Sequence, residues 1–201
     1  MIECKDLRSG IIDISYASLP PGIIAVTGHN GSGKTTFLRL LAGLLSPDAG
    51  EIRIDTHRPE EVHCGWVGDA PDKNLIFGTV EYEISSPLWF VHQPASLVRE
   101  AVYEIASELS ISHLLSRNVR ELSGGEKVLV ALAAALVSSP NILIMDESDA
   151  YLDEDTAHRV YSCVRSRSVS YVVYTTHRAD ASLLADQCIC FEHGHIVEGM
   201  I

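Results

Sequence analysis

The chain has 201 residues and carries 27 acidic against 15 basic side chains, so its formal net charge is −12. This length fits one domain with a full hydrophobic core, and the 46% apolar content is typical of a globular fold. The acidity argues against direct binding to nucleic acid or anionic lipid headgroups, because both need clustered Lys and Arg. No segment reaches the roughly 18–20 apolar residues of a membrane span, and five scattered cysteines without a secretory signal favour a reducing cytosol.

The apolar pattern predicts strands that alternate with helices. A β-branched run at 23–27 predicts a buried strand, and residues 34–45 predict a helix that Pro47 ends. Further strands are predicted at 51–54, 63–67, 142–145, 171–175, 187–192 and 195–198, and further helices at 95–109, 111–116, 126–138 and 153–165. This order predicts a mostly parallel sheet with helices on both faces, a helical insertion, and ligand binding at the carboxyl ends of the strands.

Residues 28–35, GHNGSGKT, fit the phosphate-binding pattern G-x-x-x-x-G-K-[ST] between a predicted strand and a predicted helix. Glycines let consecutive backbone N–H groups point at phosphate oxygens, and the helix N-terminus adds its dipole. Lys34 would reach the β- and γ-phosphates, and the Thr35 hydroxyl would coordinate Mg²⁺. We therefore predict that the nucleotide is bound by Gly28, Asn30, Gly31, Ser32, Gly33, Lys34, Thr35 and Thr36.

Two carboxylates, Asp146 and Glu147, follow the apolar strand at 142–145 and can approach this loop. We predict that Asp146 holds the Mg²⁺ shell and that Glu147 orients and deprotonates the attacking water. His177 ends the next predicted strand and is predicted to contact the γ-phosphate and that water. The ordinary alternatives are an exposed acidic strand end and a structural histidine.

A third motif, Leu122-Ser123-Gly124-Gly125-Glu126, precedes an apolar helix that Ser123 is suited to cap. In the order GHNGSGKT, LSGGE, ILIMDE and His177, the motifs resemble the nucleotide-binding subunit of ATP-binding cassette (ABC) proteins over nearly the whole chain. The resemblance implies an α/β fold in one ABC ATPase domain, residues 1–201. That domain would combine a P-loop NTPase, RecA-like core at about 1–70 and 138–201 with an inserted α-helical subdomain at about 71–137.

The same resemblance implies that two ATP molecules, each with Mg²⁺, lie between two cassettes arranged head to tail. Ser123, Gly124 and Gly125 would contact the γ-phosphate held by Lys34 of the other subunit, which is either a second copy or another ABC ATPase. Residues 149–153, DAYLD, occupy the place of the D-loop, which crosses that interface. Ser148 replaces the usual Pro, and Tyr151 replaces a usual Gly or its equivalent.

Residues 71–81, PDKNLIFGTVE, resemble a narrower group, the energy-coupling-factor and cobalt/nickel-type importers. Counting back from Thr79, the Q-loop glutamine of the family falls at Asp69, which we predict as a nucleotide-site residue. An aspartate is shorter than glutamine and adds a negative charge, so we expect this position to affect the rate of ATP hydrolysis and its coupling to the membrane partner. Gln93 is the rival candidate for that glutamine.

Two other features stand outside the motifs. The aromatic residue that the family stacks on adenine is missing from residues 1–15; Tyr16 is expected in the core, and Arg8 is a candidate for stacking its guanidinium. Cys188, Cys190, His193 and His195 are zinc-type ligand residues, but their spacing favours a structural role in two strands around a turn.

The leading functional prediction is an ATP-hydrolysing subunit of an ABC transporter, in which ATP-dependent dimerisation is coupled to separate transmembrane subunits. It would be cytoplasmic and peripheral at the inner face of the cell membrane, attached only through a protein partner and binding no nucleic acid. One alternative is a soluble ABC ATPase of DNA repair or translation, which the absence of coiled-coil insertions and of tandem cassettes disfavours. Another is a regulatory nucleotide-binding module with weak turnover, which Asp69 favours and Glu147 disfavours.

Overall fold

A computed structural model describes residues 1–176 and 185–197 and contains two β-sheets. Within these residues the strands are β1 (Ile2–Ser9), β2 (Ile12–Leu19), β3 (Gly22–Gly28), β4 (Ala49–Ile54), β5 (Cys64–Val67), β6 (Ile142–Asp146), β7 (Tyr171–Thr175), β8 (Gln187–Glu192) and β9 (His195–Val197). The α-helices there are α1 (Lys34–Leu41), α2 (Val80–Phe90), α3 (Ala95–Glu108), α4 (Gly124–Leu136) and α5 (Glu154–Ser166). Helices α2 to α4 lie between β5 and β6, which confirms the predicted helical insertion.

The larger sheet has six strands in the order β5-β6-β7-β3-β8-β9. Pairing is parallel from β5 to β8, and β9 is antiparallel to β8, so the predicted mostly parallel sheet is confirmed. In the ladder of β6 and β7, Asp146 lies opposite Thr175, and Thr175 in turn lies opposite Val26 of β3. The carboxyl ends of these three central strands therefore meet at one edge of the sheet.

A second sheet was not predicted. It has three antiparallel strands in the order β2-β1-β4. Its apolar residues alternate with polar ones, as in Ile12 and Ile14, which is the pattern of a strand with one solvated face. The expectation that Tyr16 belongs to the core is wrong. The alternation breaks after Ile14, and Tyr16 is 60% exposed opposite Lys5, which is also exposed.

The six-stranded sheet separates two hydrophobic cores. Along β6, Leu143 and Met145 pack with the helical insertion and α5, whereas Ile142 and Ile144 pack with α1 and the antiparallel sheet. This division follows from strand geometry, since successive side chains point to opposite faces. The predicted helices on both faces are therefore present, with the three-stranded sheet as an additional layer beside α1.

Three helical segments differ from the prediction. Helix α1 ends at Leu41, not at residue 45, because Gly43 takes a left-handed conformation with φ 69° before Pro47 is reached. Helix α2 was not predicted; Thr79 caps it by accepting the Tyr82 N–H, but apolar residues on several of its sides and Pro87 within it obscure the helical period. The helix predicted at 111–116 is a single 3₁₀ turn, Ser112–Leu114. In the described ranges, we find no helix that is long and apolar enough to span a bilayer.

Candidate active site

The predicted phosphate loop connects the end of β3 to the start of α1. Gly28 has a φ of 136°, and a Cβ there would lie 2.3 Å from the carbonyl oxygen of Phe191 on β8. Only glycine therefore allows the loop to turn so close to the neighbouring strand. The turn aims the loop and the N-terminus of α1 at the carboxyl edge of the sheet, where N–H groups and the helix dipole favour an anion.

Lys34, the first residue of α1, is folded over this loop. Its Nζ donates hydrogen bonds to the carbonyl oxygens of Gly28 (2.9 Å) and His29 (3.2 Å) and lies 4.0 Å from Oε1 of Glu147. The side chain is only 5% exposed. A cation held by backbone acceptors in a protected position interacts strongly with added negative charge, because little water screens it.

The loop borders a cleft of about 520 Å³. Its lining consists of Gly10, Ile11, Asn30, Gly31, Gly33, Lys34, Thr35, Thr36 and Glu147. The structure thus brings together the predicted phosphate-binding residues and the predicted base from the end of β6. Gly28 and Ser32 are the exceptions, since neither lines the cleft and the buried Ser32 side chain lies close to Gly28.

The two predicted carboxylates differ in their surroundings. Asp146, at the end of β6, is 2% exposed and accepts a hydrogen bond of 2.8 Å from the Thr175 hydroxyl. Glu147 has a φ of 49°, which is rare for a residue other than glycine, and its backbone N–H donates to the same hydroxyl at 2.8 Å. The sequence reasoning missed Thr175, because its role depends on the register of β6 against β7. The prediction for His177 lies outside the described residues.

The Ser123 motif forms the N-terminus of α4. Ser123 and Glu126 make a capping box: the Ser123 N–H and hydroxyl donate to Glu126 Oε2 at 2.7 and 2.8 Å, and the Glu126 N–H donates to Ser123 Oγ at 3.3 Å. A Cβ on Gly124 would lie 3.1 Å from a ring carbon of Tyr151. Among the described residues, the lining of the phosphate-loop cleft includes none of Ser123, Gly124 and Gly125.

Comparison with known proteins decides the family. A model of the family described as ABC transporter matches residues 13–150. The chain belongs to the ABC transporter family. The resemblance carried by the motifs is therefore confirmed, and the chain is an ATP-binding and ATP-hydrolysing subunit of this family.

Several curated relatives of this ABC subunit are ATP-binding proteins of energy-coupling factor transporters. The protein EcfA1 of Mycoplasmopsis pulmonis is 30% identical over 215 residues, which cover 98% of this chain and 81% of the relative. A putative ABC transporter ATP-binding protein of Archaeoglobus fulgidus is 33% identical over 204 residues, covering 98% of this chain and 85% of the relative.

Solved ABC structures share the fold. The chain superimposes on cbiO1 of Clostridium perfringens, a part of the ABC transporter complex cbiONQ, with a TM-score of 0.87 at 23% identity, covering 98% of this chain and 86% of the other. For the dimeric structure of a bacterial ABC transporter cassette, the TM-score is 0.89 at 21% identity, with 98% and 97% covered. The predicted ABC ATPase fold, a P-loop NTPase core with a helical insertion, is confirmed.

The two candidates for the Q-loop position of the ABC cassette lie in different places. Asp69 is exposed and follows β5 by two residues, just as Glu147 follows Met145, the ladder partner of Val67. Gln93 is exposed in the connection between α2 and α3. Strand register therefore brings the chain at Asp69 to the sheet edge that carries Glu147, and the role of Asp69 stays a prediction.

The turn between β1 and β2 also lines the cleft. Ile11 lies in this turn with 53% of its surface exposed. The sequence had not pointed to Ile11 as a site residue. Gly194, in the β8–β9 turn, packs against this turn so closely that a Cβ at its φ of 86° would lie 1.7 Å from the Ile11 carbonyl oxygen, and its own carbonyl oxygen accepts the Asp13 N–H at 3.0 Å. Tyr16 lines a separate groove, and Arg8 forms an exposed pair with Asp13 at 3.5 Å.

The cysteine and histidine residues near the C-terminus belong to the β8–β9 hairpin. Cys188 Sγ lies 3.7 Å from the Thr27 hydroxyl, and the His195 ring contacts the Asp13 carbonyl oxygen at 2.7 Å. In the part of the chain that the structure describes, no group of three or more His, Cys, Asp and Glu residues is arranged to hold a metal ion.

Proposed function

We propose that the chain binds ATP between its own phosphate loop and the signature motif of a second cassette, and that hydrolysis drives transport by separate transmembrane subunits. The observation that carries this proposal is the composition of the cleft. The cleft is lined by both Lys34 and Glu147, whose Nζ and Oε1 atoms lie 4.0 Å apart. Among the described residues, the Ser123 motif does not contribute to this lining. The family places that motif on the γ-phosphate, so a second chain would have to supply it.

The residues beside the cleft fit Mg²⁺. The ion prefers oxygen ligands, and the chain offers a hydroxyl at Thr35, in the cleft lining, and a carboxylate at Asp146, next to Glu147. Mg²⁺, when bound, neutralises charge on the β- and γ-phosphate oxygens. Asp146 is buried and accepts a hydrogen bond from Thr175, so its carboxylate is held in a fixed orientation for that role.

The remaining roles follow from charge and position. Lys34, Gly31 and Gly33 bind and orient the phosphates, with Asn30 and Thr36 at the same wall. Glu147 orients a water molecule and accepts its proton; one third of this side chain is exposed, so water can reach it. His177 is proposed to support the same water, and Asp69 to link the site to the membrane partner.

An exposed apolar surface supports docking to a membrane protein. The aromatic patch, which we define as Ile76, Phe77, Tyr82, Trp89 and Phe90, lies on α2 and the segment before it. Ile76 is 84% exposed and Phe90 is 76% exposed, although Trp89 makes edge contacts with Phe77 and Tyr82 at centroid distances of 6.0 and 5.6 Å. Such a patch on an acidic protein marks a site for an apolar partner surface.

We assign that partner surface to a cytoplasmic segment of a transmembrane subunit. The chain would then be cytoplasmic and peripheral on the inner face of the membrane. The names of its relatives favour a transporter of the energy-coupling factor type. The core at about 1–70 and 138–201 would bind the nucleotide, and the helical subdomain at about 71–137 would carry the patch and the signature.

The composite site is tested by trapping the dimer. Glu147→Gln keeps the size of the side chain but removes its basicity, so ATP should remain bound and the dimer should accumulate. We expect size-exclusion chromatography to show an ATP-dependent shift from monomer to dimer for Glu147→Gln. If both this variant and the wild type stay monomeric in saturating ATP, alone and with a co-expressed second ABC subunit, the composite site is wrong.

Two controls accompany this experiment. Glu147→Gln with Lys34→Ala should lose the shift, because the phosphates lose their cation. ATP turnover by the wild type distinguishes a transporter subunit from a regulatory module, which would hydrolyse ATP only weakly. In Glu147→Gln, turnover should fall at least about 100-fold, in line with the loss of a general base.

A further inference from the structure

Thr175 joins the two carboxylate residues of the site through a single hydroxyl. Its Oγ1 donates to Asp146 Oδ1 at 2.8 Å and accepts the backbone N–H of Glu147 at 2.8 Å. Register places it there, because Thr175 and Asp146 are direct ladder partners at the ends of β7 and β6. Thr175 is 1% exposed and Asp146 is 2% exposed, so water does not compete for the bond between their side chains.

We propose that Thr175 is a positioning residue for ATP hydrolysis, which fixes the Asp146 carboxylate and the Glu147 backbone in one arrangement. This inference rests on the proposed function, since it assigns a support to two residues whose roles are proposed above. Through Asp146 it acts on the carboxylate assigned to the metal shell. Through Glu147 it acts on the placement of the base.

The backbone of Glu147 explains why such a support matters. Its φ of 49° lies in the left-handed region that residues with a Cβ rarely adopt, so the conformation has to be held by its surroundings. The bond to Thr175 fixes the N–H on one side of this residue, and the Ala150 N–H donates to the Glu147 carbonyl oxygen at 3.3 Å on the other. Losing the first bond frees the turn that aims the base into the cleft.

The strand itself does not need this hydroxyl. Strand β7 is buried throughout, and its positions Val172 and Val173 show that valine suits its environment. Thr175 also borders a small, mostly apolar cavity beside Leu152 and Tyr174. Valine at position 175 would therefore keep the packing while losing both hydrogen bonds, which separates a positioning role from a purely structural one.

The test compares Thr175→Val with Thr175→Ser, which keeps the hydroxyl. Thr27→Val is the matched control, because it removes a hydroxyl from the adjacent strand β3, where Oγ1 donates to the Ile189 carbonyl oxygen at 3.2 Å. We expect Thr175→Val to lower kcat by about 10–100-fold, as losses of such second contacts of a metal-site carboxylate do. The two other variants should stay within about 3-fold of wild type in kcat.

A second readout does not depend on turnover. A fluorescent ATP analogue is titrated with and without Mg²⁺ into each variant. Thr175→Val should bind the analogue like the wild type when Mg²⁺ is absent but should lose the gain in affinity that Mg²⁺ gives. Thr175→Ser should keep that gain.

Three results would overturn the inference: wild-type kcat and Mg²⁺ dependence in Thr175→Val, equal losses in a well-folded Thr175→Ser, or a Thr175→Val chain that is unfolded at the assay temperature. The last would show that the hydroxyl serves the fold. Glu147→Gln is measured alongside. If Glu147→Gln retains wild-type turnover, the proposed function is wrong. If Glu147→Gln is inactive but Thr175→Val is active, only the positioning role of Thr175 is wrong.

Discussion

Ile11 is an exposed apolar residue in the lining of the cleft, and we predict that it contacts the base of the bound nucleotide. With the phosphates at the loop and at Lys34, as proposed, the base would extend toward the β1–β2 turn, where Ile11 is half exposed and lies close to Gly194. An aliphatic side chain contributes an apolar contact but no stacking, and stacking of a base on an aromatic ring contributes about 1–3 kcal/mol. An aromatic residue at this position is therefore expected to bind the base more tightly than Ile11 does.

We predict that Ile11→Tyr strengthens ATP binding by up to about 10-fold and that Ile11→Asp weakens it several-fold, because the charge repels the nucleotide and removes the apolar contact. Isothermal titration calorimetry of each variant measures the change. Inorganic tripolyphosphate is the control ligand, since it engages the loop but has no base. An Ile11→Tyr variant that alters tripolyphosphate and ATP binding equally would contradict a role in base contact.

At the scale of elements, the ionisation of Glu126 at the start of α4 contributes to the stability of the fold. The backbone N–H and hydroxyl of Ser123, and more weakly Arg117, hold the pKa of the Glu126 carboxyl below its usual range. A carboxyl whose pKa is lower in the folded than in the unfolded state stabilises the fold above its unfolded pKa of about 4.3. That contribution is lost as the pH falls through the folded value.

We therefore predict that Glu126→Gln lowers the free energy of unfolding by about 0.5–1 kcal/mol at pH 7, the usual range for a helix cap. The difference from wild type should shrink from about pH 5 downward, as Glu126 becomes protonated. Urea unfolding at a series of pH values measures it, with Glu104→Gln on the exposed side of α3 as the control. If the difference in the free energy of unfolding between Glu126→Gln and the wild type does not depend on pH, the charge of Glu126 is not its cause.

The elements also show how far the sequence reasoning reaches. Local signals predicted the phosphate loop, the Ser123 cap and the buried strands, because each depends on neighbours within a few residues. The signals failed where tertiary contacts decide: α2 has apolar residues on several sides since its aromatic patch faces outward, and α1 is cut short at Gly43. Thr175 and Ile11 reach the site only through strand register and turn packing, which no spacing in the chain displays.

At the scale of the whole molecule, the proposed nucleotide site and the proposed partner surface lie on different parts of the chain. The phosphate loop follows β3, whereas the aromatic patch lies on the insertion between β5 and β6. A substitution in the patch should therefore separate docking from ATP binding. Phe90 is the suitable target, because it is 76% exposed and its replacement leaves the core intact.

We predict that Phe90→Asp abolishes attachment to the transmembrane subunit, since burying an unpaired carboxylate in an apolar interface costs several kcal/mol. The measurement is co-purification of tagged chain with a polytopic membrane protein from membranes of the source cells. Leu44→Asp, which places the same charge at an exposed leucine outside the patch, should leave attachment unchanged. ATP-dependent dimerisation in the Glu147→Gln background should persist in both variants. Loss of attachment in both would mean that added charge acts nonspecifically, and retained attachment in Phe90→Asp would remove the patch from the docking surface.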